Sequence, residues 1–337
     1  MTAPPAAAHP AKPAGLERLA PVLAGMVAGV VVFHRSLAYF FSQDDFLGLA
    51  RAAGLVPRLA QPWRYIANQA VWDLLLPFGT VQAWPYHLLS LIAHAACVAL
   101  LHDLLARRLA PWAALLGATF FAVHPSLFTA LYWISTVGDP LALCFGLLVL
   151  RTQHRTDRWR WLAVPLLALS LLCKESLLLL PLVVVAFRVW VGQQGHGATL
   201  GAGRTSQGRA RPIDGLVIAL AAVSLIYIVY FFTFAYGAYF VSPQDPVAAA
   251  GEAARAPYAL GWGTNLWQNL LSYLGWSTAF ALPVVHRFSD AVDPGVYSWA
   301  IGAIAIWIAG LAYPPLRTRG WLFGGVAWIL FVLPALK

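Results

Sequence analysis

Apolar residues fall in long runs separated by short polar or basic segments, the pattern of helices that cross a bilayer. Pro21 to Phe41 supplies the roughly 20 apolar residues that about 30 Å of hydrocarbon requires. Ser42 to Val81 is more polar. Within it, Trp63-Arg64-Tyr65 through Leu76 mixes aromatic and aliphatic positions with Arg64, Asn68, Gln69 and Asp73, which suits a helix lying on the membrane surface. Trp84 to Ala106 is a second span. Trp112 to Val123 is a short third, stopped at His124-Pro125 because proline disfavours helix at the residue before it. Gly138 to Leu150 is a fourth, followed by the basic loop Arg151 to Arg160. Trp161 to Cys173 and Leu177 to Trp190 form a hairpin with Lys174-Glu175 at its tip. Ile213 to Tyr236, Tyr297 to Leu316 and Trp321 to Leu336 complete the set. Trp262 to Val285 is apolar but interrupted by Asn265, Gln268, Asn269, Gly275 and Pro283.

Composition agrees: 60% of the 337 residues are hydrophobic and only 10% charged, with mean hydropathy +0.70. The expected fold class is therefore all-α, a polytopic transmembrane helical bundle behind a cytoplasmic tail of residues 1–20. Cys97, Cys144 and Cys173 lie inside apolar runs without ligand spacing, which makes them packing residues. The formal charge of +9 does not imply nucleic acid, since Lys and Arg cluster in the segments between apolar runs, where they set orientation.

Orientation then organises the chemistry. Placing Lys12/Arg18, Arg107/Arg108, Arg151 to Arg160, Arg188 to Arg211 and Arg317/Arg319 on the cytoplasmic side requires that Trp262 to Val285 not fully cross. About nine crossings plus one interfacial or re-entrant helix result. The first outer loop is then 42–83, and a second outer loop with the re-entrant segment spans 237–296. Asp44, Asp45, Arg64, His124, Asp139, Lys174, Glu175, His286 and Arg287 all fall at the outer face. Titratable groups gathered at one face, under amphipathic cover, suit a ligand that is half lipid and half polar.

The order Asp44-Asp45, Trp63-Arg64-Tyr65, Tyr86-His87-Leu88, His94-Ala95, Phe120 to Pro125, Trp133-Ile134-Ser135 and Cys173-Lys174-Glu175 before Pro181 resembles the C-type (GT-C) integral-membrane glycosyltransferases. The likeness is to the protein O-mannosyltransferase and transmembrane-TPR mannosyltransferase branch, over about Phe33 to Pro181. It implies a GT-C-like bundle that transfers a sugar, with inversion, from a polyprenyl-phosphate-linked donor to a hydroxyl of a protein, lipid or glycan. The acidic residue of the first outer loop, base or metal ligand in that family, would be Asp44 or Asp45. Three positions depart from the family pattern: Tyr65 stands where proline follows the arginine, Phe128-Thr129-Ala130 carries no acid, and Gly138-Asp139-Pro140 replaces a Gly-Arg. The close of the chain at Lys337 fits a fragment or a short member, and the composition suits a bacterial inner membrane.

Each role has a plainer counterpart. Asp45 is preferred as base with Asp44 as its partner, against a helix-capping pair. Hard cations favour carboxylates, so a divalent cation such as Mg or Mn is the cofactor the pair would accept. Lys174 is the phosphate candidate, against a Lys174-Glu175 pair marking the membrane boundary. Arg64 is a second, against simple snorkelling. Glu175, Asp139, His124, His286 and Arg287 complete the candidate substrate site. His94 reads as a hydrogen-bonded core histidine. A transporter or flippase is the first rival, disfavoured by the lack of an internal repeat; a non-catalytic subunit of a membrane glycosylation complex is the second.

Overall fold

The computed structural model describes residues 15–59, 62–79, 82–194, 212–235, 264–279, 294–313 and 319–332. Among them the chain is helical throughout, with no strand. In chain order the helices are α1 (Gly15–Phe33), α2 (Asp44–Ala52), α3 (Val71–Gly79), α4 (Trp84–Ala106), α5 (Pro111–Val123), α6 (Phe128–Tyr132) and α7 (Gly138–Thr152). Then come α8 (Ala163–Cys173), α9 (Leu180–Gln194), α10 (Gly215–Tyr230), α11 (Thr264–Thr278), α12 (Pro294–Ala312) and α13 (Arg319–Val332). Among the described residues four helices are long and apolar enough to cross a membrane, Trp84–Ala106, Ile134–Thr152, Gly215–Phe234 and Gly295–Ala312. A fifth is obtained if α5 and the segment Pro125–Tyr132, bent by 43°, count as one span. The run that stops at His124-Pro125 in sequence thus continues in space after a bend. Proline removes one amide donor, and the His124 ring caps the turn that follows.

α4 and α7 are the central pair: half of each span is buried, against 22% for α10 and 17% for α12. The two peripheral helices expose Ile218, Leu225, Ile226, Ile301, Ile306 and Ile308, as lipid-facing helices do. Among lipid tails apolar area gives little drive for helix association, so close backbone packing must supply it. α1 carries Gly25-Met26-Val27-Ala28-Gly29, and a Cβ on Gly29 would sit 3.1 Å from the Ala122 carbonyl oxygen. Facing it, α5 buries Ala114, Ala118 and Ala122 at one-turn spacing. These small residues let α1, α4 and α5 pack tightly.

At one end of the bundle α2, the turn Ile66–Ala70 and α3 form a cap. Trp72, 1% exposed, anchors it by stacking near Tyr86 at 4.9 Å and Phe41 at 6.3 Å, while Leu74 and Phe78 point outward. The stretch thus has one exposed apolar side, with Trp72 as its inward anchor.

Candidate functional site

Two clusters of charged side chains lie at the capped end, supplied by four segments far apart in sequence. The first is built on Asp45. α2 begins after Gln43, whose φ of 43° is a left-handed conformation rare outside glycine. The sharp entry buries Asp45 to 1% exposure and leaves Asp44 exposed. Oδ1 of Asp45 accepts the Ser135 amide at 2.7 Å and the Ser135 hydroxyl at 2.6 Å; Oδ2 accepts the Ser42 amide at 2.9 Å. Both oxygens are therefore engaged in tying α2 to the turn Ile134–Thr136. Asp44 makes no hydrogen bond or ion pair among the described residues and is the exposed carboxylate of the two.

The second cluster contains two ion pairs. α8 ends at Cys173, and Lys174 is extended, with φ −163° and ψ 144°. Successive side chains of an extended backbone point to opposite sides, so Lys174 and Glu175 do not pair with each other. Lys174 Nζ instead reaches Asp139 Oδ2 at 2.6 Å, and Glu175 takes a two-point interaction from Arg64 through Nε, at 2.7 Å, and Nη2. Arg64 has φ of 47°, and its guanidinium lies 4.7 Å from the centre of the Trp63 ring. Burial alone would lower the Arg64 pKa, but the hydrogen bonds and charge of Glu175 outweigh it and hold the guanidinium firmly protonated. Gly138 allows this convergence: a Cβ there would lie 2.6 Å from the Cys173 carbonyl oxygen and 3.0 Å from Ala67.

The Asp139 pair borders a cavity of about 290 Å³ between α4, α5, α7 and the turn after α8. Its walls are mainly apolar, including Leu127, Leu131, Leu143 and Leu177, with Asp139, Ser176 and His94 as polar points. His94 is a core histidine whose Nε2 donates to the Ala122 carbonyl at 2.9 Å. His124 does not join either cluster: its Nδ1 accepts the Ser126 amide at 3.3 Å and lies 2.7 Å from the Ser126 hydroxyl, capping the turn. His286 and Arg287 lie outside the described residues.

Three contributors were not evident from sequence. Ser135 lies 90 positions from the carboxylate it binds. The Tyr227 hydroxyl is buried with no hydrogen-bond partner among the described residues, within electrostatic reach of Arg64 and Glu175. Tyr273 is within similar reach of Asp139. A phenol inside an otherwise aliphatic run, as at Tyr227, is the signal that marks such a position.

Among the described residues no group of three or more His, Cys, Asp or Glu is arranged to hold a metal. Asp45 has spent both oxygens on N–H and O–H donors that a cation would have to displace, so the Asp44-Asp45 pair does not fit as a chelate. Searches against known protein families, curated proteins and solved structures find no match to this chain.

Proposed function

We propose that the chain is a membrane glycosyltransferase of GT-C-like architecture, with about nine crossings and one interfacial or re-entrant helix, that uses a polyprenyl-phosphate-linked sugar. The observation that carries the reading is the Lys174–Asp139 pair on the border of a mostly apolar cleft of about 290 Å³, the shape that a lipid tail ending in a phosphate would need. In this reading the prenyl chain lies along Leu127, Leu131 and Leu143, and Lys174 and Arg64 neutralise the phosphate. Asp44 takes the proton of the acceptor hydroxyl as its oxygen attacks the anomeric carbon. The bond from that carbon to the phosphate oxygen breaks, with inversion, and polyprenyl phosphate leaves with the electron pair. Asp45 positions Asp44 by fixing the start of α2. The arginine-rich end is taken as cytoplasmic, which puts this chemistry on the outer face. The acceptor is a protein, lipid or glycan hydroxyl.

The test is release of polyprenyl phosphate from labelled polyprenyl-phosphate hexoses by the chain in lipid nanodiscs with membrane extract as acceptor. Asp44→Asn and Lys174→Gln should each lower release by about 10²-fold or more. Equal release from wild type and both variants would sink the proposal. The balance of charge favours a second reading: Arg64 and Lys174 are already matched by Glu175 and Asp139, so the site could bind or translocate a lipid without transfer. Saturable donor binding without any release would favour that reading.

A further inference from the structure

A second cavity, about 440 Å³, lies between α4, α7, α9 and α13 and meets the first at Leu143 and Leu177. Leu105, Leu109, Leu150, Phe187, Trp190 and Trp321 line it toward the arginine-rich end of the bundle. The wall is almost wholly apolar, and the residues next to it in sequence are cationic. Arg107 and Arg108 stand between Leu105 and Leu109, and Arg151 follows Leu150.

The charges at this mouth are unbalanced. Asp103 is shared by Arg107 and by Arg151, each at 2.9 Å, while Arg108 feels the charge of Arg107 and has no carboxylate partner among the described residues. His154 sits in the same field and packs edge-on against Phe187 of the groove wall, 5.4 Å between ring centres. Burial first, and then the charges of Arg107 and Arg108, hold its pKa below the ordinary imidazole value. Arg108 Nε and His154 Nε2 are both buried with no hydrogen-bond partner among the described residues. Arg107, Arg108 and Arg151 around the single carboxylate of Asp103 make the mouth an excess-positive field, which favours an anion.

We infer that this groove holds an acyl chain of an anionic phospholipid, whose headgroup phosphate is bound by Arg108 and His154. The phosphate offsets the excess of guanidinium over carboxylate at the groove mouth. The acyl chain covers Leu105 and Leu109, which line the groove. This site lies at the opposite end of the bundle from the Lys174–Asp139 pair and does not rest on the transfer reaction.

The experiment is native mass spectrometry of the full chain released from nanodiscs of phosphatidylglycerol and phosphatidylcholine in equal amounts, with matched acyl chains. Wild type should retain phosphatidylglycerol about tenfold over phosphatidylcholine, and Arg108→Gln with His154→Gln should bring the ratio near one. Arg108→Lys should keep most of the preference. Gly324 lines the groove, and a Cβ there meets nothing within 4 Å, so Gly324→Leu should fill it without a clash and lower phosphatidylglycerol retention about fivefold. Equal retention of the two lipids by wild type, or retention unchanged in both the double variant and Gly324→Leu, would overturn the inference. So would displacement of phosphatidylglycerol by equimolar polyprenyl phosphate, which would assign the groove to a prenyl chain instead.

Discussion

Replacing Asp45 by Asn should unfold more than it disarms, whereas the same change at Asp44 should do the reverse. The Asp45 carboxylate is 1% exposed and accepts three hydrogen bonds, two from Ser135 and one from Ser42. An Asn has one acceptor oxygen and one donating NH₂. In its better orientation it keeps the two Ser135 bonds and turns its NH₂ against the Ser42 amide. One charge-assisted bond, worth about 1.5–3 kcal/mol, is lost, and two others fall toward the neutral range of about 0.5–1.5 kcal/mol. Relief from burying a charge returns part of this, leaving a net cost of about 2–4 kcal/mol. In detergent the thermal midpoint of Asp45→Asn should therefore fall by roughly 3–6 °C. Asp44→Asn touches no described partner, and its stability should stay within about 0.5 kcal/mol of wild type, while sugar release falls. The assay pairs tryptophan-fluorescence melting with donor turnover on the same preparations. A wild-type midpoint for Asp45→Asn would refute the structural role assigned to its three bonds. Full turnover by a stably folded Asp44→Asn would remove Asp44 as base.

Two further perturbations test the supporting electrostatics. Arg64→Gln or Glu175→Gln leaves a mostly buried charge without its principal mate and should cost about 1–3 kcal/mol after allowance for partial exposure, whereas the double variant should recover part of that loss. A double-mutant cycle by thermal melting checks this, and strictly additive losses would contradict it. Asp214 caps α10 by accepting the amides of Leu216 and Val217 at 3.1 Å and pairs with Arg188 at 2.8 Å. Burial alone would raise its pKa, but Arg188, the Val217 amide and the charge of Arg160 hold it below the ordinary carboxylate value. A lowered folded-state pKa gives stability that is present above the unfolded value of about 3.9 and lost as pH falls through the folded one. Asp214→Asn should thus lower the melting midpoint at pH 7, and the gap to wild type should close below about pH 4; a gap that is the same at pH 3 and pH 7 would exclude the charge as its source.

The long elements were legible because their signal is local. α4 is expected and observed over Trp84–Ala106, α10 falls inside its apolar run, and α12 starts three residues ahead of its expected run, at Pro294. The breaks were less so. The run from Pro21 to Phe41 changes at His34 into a 3-10 turn, and the turn Ile134–Thr136 lengthens the short run at Gly138 into a 19-residue span. Such adjustments follow the backbone of neighbouring helices, which no local window of sequence contains. The same limit governs the site. Asp44 and Asp45 are equivalent in sequence, and only the Ser135 amide and hydroxyl separate a buried tether from an exposed acid.

Lys174 and Glu175 show why neighbours in sequence need not be partners. Had α8 continued by one more residue, side chains three and four positions apart would have shared its face. Because Lys174 is extended, the two charges diverge, and each finds an opposite charge on another segment: Lys174 on α7, Glu175 on Arg64 before the Ile66–Ala70 turn. α7, α8 and the cap are thereby joined through alternating charges around Gly138, where no side chain intervenes. An incoming phosphate would have to loosen Lys174 from Asp139 before binding it. Asp139 would then stand beside the cleft with its counter-ion gone, so under the proposed transfer reaction donor entry would require a rearrangement between α7 and the turn after α8 rather than the filling of a preformed cationic pocket.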